Sequence, residues 1–185
     1  MNSRHYPEEI KTIKALKKII PIITAFLIVF ILVSSAKAQV TGTATGTVSI
    51  ITPISIAASG NLNFGNVAVS SSLGTVVLAP GGSRSLNGGV TLPAVVGPFS
   101  PATFTVTGMG SSTYSILLPS SCVISDGANH SMTINDFTSY PSGAGILSPN
   151  GTQTINVGAT LNVVGAQKAG AYTNETGFPV IVNYN

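Results

Sequence analysis

The sequence predicts an all-β protein, a β-sandwich or barrel of short antiparallel strands, preceded by one N-terminal helix. Three observations carry this expectation. Beyond residue 38, Ser and Thr number 37, whereas Glu, Lys, Arg and Gln together number six. The side chains that fill exposed helix faces are thus scarce, and those that strand faces tolerate are abundant. All 20 glycines and nine of the 11 prolines fall in the same stretch, spread along it as punctuation. Between these turn signals Val, Ile, Leu and Phe recur in alternation, which separates the chain from a disordered Ser/Thr stalk.

The helix comes first. Lys11, Lys14, Lys17 and Lys18 precede a 15-residue apolar run, 19–33, broken by Pro21 and Thr24. Ser34-Ser35-Ala36-Lys37-Ala38 then sets small residues at the spacing a signal peptidase accepts. The pattern predicts a signal peptide over 1–38, cleaved before Gln39, and one domain over 39–185. Crossing a bilayer takes about 20 apolar residues, so the run is short for a permanent anchor, which is the other reading. Export places the domain in the periplasm in transit, then at the cell surface or outside the cell, with no membrane attachment after cleavage.

The leader also explains the charge. Six of the eight cations and two of the five acids lie within it, so the apparent +3 belongs to the leader. What remains is Arg84 and Lys168 against Asp126, Asp136 and Glu175, a net charge of −1. A groove that follows phosphates needs clustered Lys and Arg, so nucleic acid is not an expected partner. Arg84 is expected to pair with one of the three acids.

The strands follow from period-2 patterns. Over 40–50 the even positions read Val, Gly, Ala, Gly, Val, Ile, and the odd ones are all Thr or Ser. The same register continues past Pro53 to Ile54 and Ile56. Further strands are predicted over 62–69, 75–79, 90–92, 103–107, 113–118, 122–125, 131–137, 154–157, 160–164 and 178–184. Asp126-Gly127-Ala128-Asn129 reads as the hairpin loop between two of them. The Gly-rich stretch 80–89 suggests a phosphate loop, but no helix follows it, so two strand-connecting turns are expected there.

A search for chemistry assigns no catalytic, cofactor-binding or metal-ligating residue. His130 is the one histidine beyond the leader, and Asp126, four residues away across a turn, reads as loop decoration beside it. Three acids and one cysteine are a poor supply for paired-carboxylate or zinc chemistry. No cofactor is implied, and nothing in the residues argues for an enzyme. Cys122, the lone cysteine, reads either as a small buried hydrophobe or as a thiol for an intermolecular disulfide.

The two ends carry the most specific signal. The C-terminal strand alternates Phe178, Val180, Val182 and Tyr184 on one face, and Pro179 places it at a sheet edge or starts it. The segment from Val40 is extended, uncharged and without gatekeepers. Such an edge is an aggregation hazard that an exported protein can turn to use by pairing with a neighbour's strand. Alternatively, both ends are ordinary strands of one complete sandwich.

A wider resemblance joins these pieces. Ile54, Leu62-Asn63-Phe64-Gly65-Asn66-Val67, Gly82-Ser83-Arg84-Ser85-Leu86-Asn87-Gly88-Gly89-Val90, Ala102-Thr103-Phe104-Thr105-Val106-Thr107-Gly108, Tyr114-Ser115-Ile116, Gly170-Ala171-Tyr172-Thr173 and Val180-Ile181-Val182-Asn183-Tyr184-Asn185 follow in order. The set resembles the bacterial exported domain of unknown function 4402 family over nearly all of 39–185. Its members look similar to the Ig-like subunits of chaperone–usher pili, whose last strand ends on a penultimate Tyr, here Tyr184. The resemblance implies an Ig-like antiparallel β-sandwich behind a signal-peptide helix. It also implies assembly with copies of itself or related subunits, and a periplasmic chaperone and outer-membrane usher as partners. Two departures stand out. Tyr172 replaces the Gly usual fourteen residues from the end, and Gly42, Ala44 and Gly46 leave Val48 and Ile50 as the large donor side chains.

The expected function is therefore an exported structural surface protein, a fimbria- or pilus-like subunit assembling by β-strand addition. Val48, Ile50, Phe178, Val180, Val182 and Tyr184 are its expected assembly residues, and 39–47 should be unpaired in an isolated subunit. The alternative is a self-contained surface adhesion or glycan-binding module, with Phe99, Tyr140 and Tyr172 on loops.

Overall fold

The structure, a computed structural model, describes residues 7–32 and 39–185, and the predicted cleavage site at 34–38 lies outside the described residues. The chain divides into two units, Met1–Val48 and Ser49–Asn185. The first contains one helix, α1 (Pro7–Leu32). Proline is tolerated at a helix start because the N–H it lacks has no intrahelical partner there. Pro21 sits inside the helix, and one turn on the Thr24 hydroxyl donates to the carbonyls of Ile20 and Pro21 at 2.9 and 3.0 Å. Among the described residues no helix is long and apolar enough to cross a membrane.

The second unit is built from ten strands: β1 (Ser55–Gly60), β2 (Ala68–Leu78), β3 (Arg84–Thr91), β4 (Ala102–Thr107), β5 (Thr113–Leu117), β6 (Ser121–Ser125), β7 (Ser131–Tyr140), β8 (Ala144–Ile146), β9 (Thr152–Val163) and β10 (Ile181–Tyr184). Every pairing between them is antiparallel. A seven-stranded sheet runs β1-β4-β9-β2-β3, with β7 also on β9 and β6 beyond β7; a three-stranded sheet runs β10-β5-β8. The two form an antiparallel β-sandwich, as the sequence predicts.

The long strand β9 organises the larger sheet. Its first half pairs with β4 (Thr152↔Thr107 to Val157↔Ala102), its second half with β2 (Ala159↔Leu78 to Val163↔Gly74). The β7 ladder spans both halves, from Asn156↔Tyr140 to Asn162↔Thr133. A strand has two edges, so β4 and β2 share one and β7 takes the other. The handover falls at Gly158, where an added Cβ would lie 2.1 Å from the Leu78 carbonyl oxygen and 2.7 Å from Ala79 and Pro80 backbone atoms. Only glycine lets the end of β2 approach this closely. Opposite it, β7 carries a bulge between Asn135 and Thr138, with Asp136 at φ 50°.

Alternation along β9 buries Ile155, Val157, Ala159, Leu161 and Val163 on one face and divides them between two cores. One gathers Val76 and Leu78 from β2, Val90, Ile124, Ile134 and the second half of β9, with Phe64 buried among them. The other gathers Ala102 and Val106 from β4, Tyr114 and Ile116 from β5, Leu147, Val180 and Val182. Phe137 packs against both, and the Phe178 ring of the second core lies 4.8 Å from it and 6.1 Å, edge on, from Phe104.

Several sequence expectations are corrected. Residues 39–54 belong to no strand, and the first ladder begins at Ser55, because a period-2 pattern specifies a pleat but not a partner. The stretch expected as a strand over 62–69 is mostly irregular: Gly65 at φ 71° turns the chain, and one isolated bridge, Asn63↔Ser100, pairs it. The first expected turn in the Gly-rich stretch is present, with Gly82 donating to the Ala79 carbonyl at 2.9 Å. The second is not. Asn87-Gly88-Gly89 runs inside β3, Gly88 at φ 70° opposite an irregular part of β2. The two strands expected over 154–157 and 160–164 are one, β9, and β10 starts only at Ile181.

Candidate assembly surface

Strand β10 has one ladder partner, β5, so its other edge closes no sheet among the described residues. The alternation of antiparallel bonding says which groups face that edge. Asn185 donates to the Thr113 carbonyl at 3.3 Å, continuing the register Ile181↔Leu117 and Asn183↔Ser115. The N–H and C=O groups of Val182 and Tyr184, one residue out of phase, therefore point away from β5. Their side chains turn inward: Val180 and Val182 are buried, and Phe178 and Tyr184 half-buried, all against the second core. The alternation read from the sequence is thus the core face of this strand, and what it offers outward is backbone.

Tyr184 also fixes the chain that leads into the sandwich. Its hydroxyl accepts from the Met109 N–H at 2.6 Å and donates to the Thr52 carbonyl at 2.8 Å. Beyond that clasp Ile54 and Ile56 pack against the second core. Before it the chain carries no ladder, Ile50 is 92% exposed, and Val48 is 87% exposed. A shallow cavity of about 340 Å³ beside the clasp is lined by Ile51, Ser111, Ser112, Thr113, Tyr184 and Asn185, a mixed rather than apolar wall.

The edge of β6 is treated differently. Ser125 and Thr173 exchange two backbone hydrogen bonds of 2.9 Å, so the 165–177 loop lies along the end of that edge. The Tyr172 hydroxyl ties this loop to itself, donating to the Lys168 carbonyl at 2.7 Å and accepting from Gln167 at 2.9 Å. Covering an edge with a loop is one way to block unwanted pairing.

Cys122 lies on β6 and is half-buried against the first core, with Asn174 near its thiol. Burial pushes its pKa up, and the hydrogen bond with Asn174 opposes this only in part. The neutral thiol is the favoured form, so any stability it confers is complete below the unfolded pKa of about 8.5 and is lost as pH rises through the folded value. Thiolate is the reactive species. Modification by a thiol reagent at pH 8 should therefore be roughly tenfold or more slower in the folded protein than after denaturation. Equal rates would mean that the thiol is open to a partner.

Arg84 corrects another expectation. It pairs with no acid among the described residues; its guanidinium donates to the Phe64 carbonyl and lies over the Phe99 ring, 4.3 Å from the centroid. Phe64 is buried, so its carbonyl needs a donor, and the cation on Phe99 satisfies both. Of the three aromatics expected on loops, Phe99 is thereby covered on one face and Tyr172 is held by its hydroxyl, while Tyr140 is exposed but ends strand β7, paired with Asn156, and is not on a loop.

On the β6–β7 hairpin His130 Nδ1 lies 2.7 Å from Asp126 Oδ2, a hydrogen-bonded contact between the two side chains. Partial desolvation pushes the Asp126 carboxyl up, but the N–H groups of Ala128 and His130 and the His130 ring together outweigh it, leaving its pKa below the usual carboxylate value. A depressed carboxylate stabilises the hairpin above the unfolded pKa of about 3.9 and ceases to do so as pH falls through its folded value. Asp126→Asn should accordingly flatten the acid limb of the stability profile, measured by denaturant melts between pH 2 and about 5. An unchanged limb would place the acid sensitivity elsewhere. No group of three or more His, Cys, Asp or Glu side chains gathers among the described residues.

The protein is thus an antiparallel β-sandwich whose C-terminal strand β10, like β1, β3 and β8, has a ladder on one side alone among the described residues, and which follows an uncharged arm without a ladder. Residues 54–184 match the family described as domain of unknown function 4402, and the chain belongs to that family. No curated protein matches the chain.

Proposed function

We propose that this chain is an exported structural surface protein, a fimbria- or pilus-like subunit that assembles by β-strand addition. The observation that carries the reading is the arm, 39–51, which belongs to no ladder and leaves Val48 and Ile50 almost fully exposed. Isolated apolar side chains at alternate positions gain most when a pleated neighbour covers them, at about 1.5–3 kcal/mol each. The bare edge of β10 supplies main-chain groups of the matching kind. Near neutrality favours the same reading, since subunits with a net charge of −1 beyond residue 38 repel one another little. Export, a periplasmic chaperone and an outer-membrane usher belong to this proposal.

Electron microscopy and unheated denaturing electrophoresis of the purified protein test it. Filaments, or an SDS-resistant ladder that an excess of peptide 39–51 suppresses, are the expected result. A protein that forms neither, or whose SDS-resistant ladder survives deletion of 39–51, overturns the reading.

A further inference from the structure

An extended arm has two β10 edges it can pair with, that of a second copy and that of its own chain. The second is the nearer. Ile51, at the root of the arm, lines one shallow cavity with Tyr184 and Asn185 at the end of β10 and with Ser111, Ser112 and Thr113 at the start of β5. A pairing within the chain also brings its ends together at the smaller entropic cost. Yet in the single chain the two stay apart: residues 49–54 enter no ladder, and β10 pairs with β5 alone. Something at the root of the arm opposes self-pairing.

The direction of the chain there is the first obstacle. Strand β1 starts beside the clasp, with Ser55 opposite Thr107, and runs from it into the sandwich. Strand β10 runs the other way and ends at the clasp on Tyr184. Residues 49–54 contain no turn or bend, so the chain passes the clasp without reversing and leaves 49–51 beyond the end of β10, not alongside it. Thr52 precedes Pro53, which holds it away from the helical region that a tight reversal centred on it would use. The clasp is the second obstacle. The Tyr184 hydroxyl holds the Thr52 carbonyl at 2.8 Å and is itself held by the Met109 N–H at 2.6 Å, while its ring packs on the second core. Gly108 makes room for it, since an added Cβ there would collide with the hydroxyl oxygen.

We propose that the Tyr184 hydroxyl latches the root of the arm at Thr52 and so reserves residues 39–51 for the β10 edge of a second copy. This role rests on the strand-addition reading and adds to it the device that excludes self-pairing. Tyr184 is then a positioning residue: its hydroxyl acts on the arm through Thr52, without touching the arm's exposed Val48 and Ile50. Arm and edge, two unlike surfaces of one chain, meet head to tail, so a latched arm propagates an assembly, whereas a released one closes the subunit on itself.

Two variants of the full chain test the latch. Tyr184→Phe keeps the ring in the core and removes the hydroxyl from both partners. Its SDS-resistant ladder should form roughly three- to tenfold more slowly than the parent's at equal concentration, the effect of one hydrogen bond. Gly-Ser-Gly-Ser inserted between Ile51 and Thr52 leaves Tyr184 intact and gives the arm the slack to reverse. It should abolish the ladder and yield a monomer whose thermal midpoint lies above that of a chain lacking 39–51, because the arm then covers its own β10. Should Tyr184→Phe fail to fold, the inserted variant decides, since it keeps every core side chain. A ladder in either variant as fast as the parent's, or faster, overturns the latch and leaves strand addition standing. An inserted variant that is monomeric but melts with the deletion chain overturns it as well, because its arm is then idle and not self-paired. A parent without a ladder overturns both the latch and the strand-addition reading.

Discussion

Replacing Gly158 with alanine should destabilise the sandwich by about 3 kcal/mol or more, a loss at the upper end for a single methyl group. The new Cβ would stand 2.1 Å from the Leu78 carbonyl oxygen and 2.7 Å from backbone atoms of Ala79 and Pro80, none of which can swing aside like a side chain. Relief requires β2 to withdraw from β9, and with it the Ala159↔Leu78 pairing and the buried Leu78 side chain. Gly81→Ala is the internal control. Nothing lies within 4 Å of its added Cβ, so its effect should stay within about 0.5 kcal/mol. Chemical denaturation of both variants decides the matter, and equal midpoints would mean that the handover at Gly158 does not depend on close approach.

Tyr114→Ala should be the largest loss among the core substitutions, about 3–5 kcal/mol. Tyr114 is fully buried at the centre of the second core, where its ring packs so closely on Gly145 that an added Cβ there would lie 2.4 Å from it. Its hydroxyl donates to Gln153 Oε1 at 2.7 Å, and burial raises its pKa above the ordinary tyrosine value. Tyr114→Phe separates the two contributions. It keeps the ring and removes the donor, so it should cost about 1–3 kcal/mol, mainly by leaving the Gln153 oxygen without a partner. If the two variants melt together, the hydrogen bond rather than ring packing holds this core.

What could be foreseen from the sequence divides by physical cause. Local signals were legible: the β6–β7 hairpin over Asp126-Gly127-Ala128-Asn129, the alternation of β4 and β5, and the one face shared by Phe178, Val180, Val182 and Tyr184 follow from turn chemistry and the period of two, although that this face is the core face does not. Pairing was not. The arm from Val40 alternates as cleanly as any strand here, yet it has no ladder, because alternation does not name a neighbour. Gly158-Ala159 read as a break between two strands when it marks a change of partner within one. Arg84 was assigned an acid because charges can be counted in a sequence, whereas an unsatisfied carbonyl such as that of Phe64 cannot. The exposed surfaces show the same limit. That hydrogen bonds from Asn66 hold the apolar 92–99 loop out in water depends on two segments meeting in space, which no local pattern records.

The position of β9 in the chain also sets an order of events. Residues 74–78 wait for 159–163, and 102–107 wait for 152–157, so neither β2 nor β4 gains its inner neighbour until β9 has been made. Contacts so distant along the chain carry a large loop-closure cost and belong to slowly folding proteins. During that interval the Val- and Thr-rich strands made first have only their hairpin or edge partners and are open to pairing with other chains. A holding partner that covers β2 and β4 in this interval should raise the yield of native protein more than one that acts after residue 163 has emerged. The same delay leaves growing chains open to one another, so faster delivery of residues 152–163 should raise the share that becomes sandwich at the expense of aggregate.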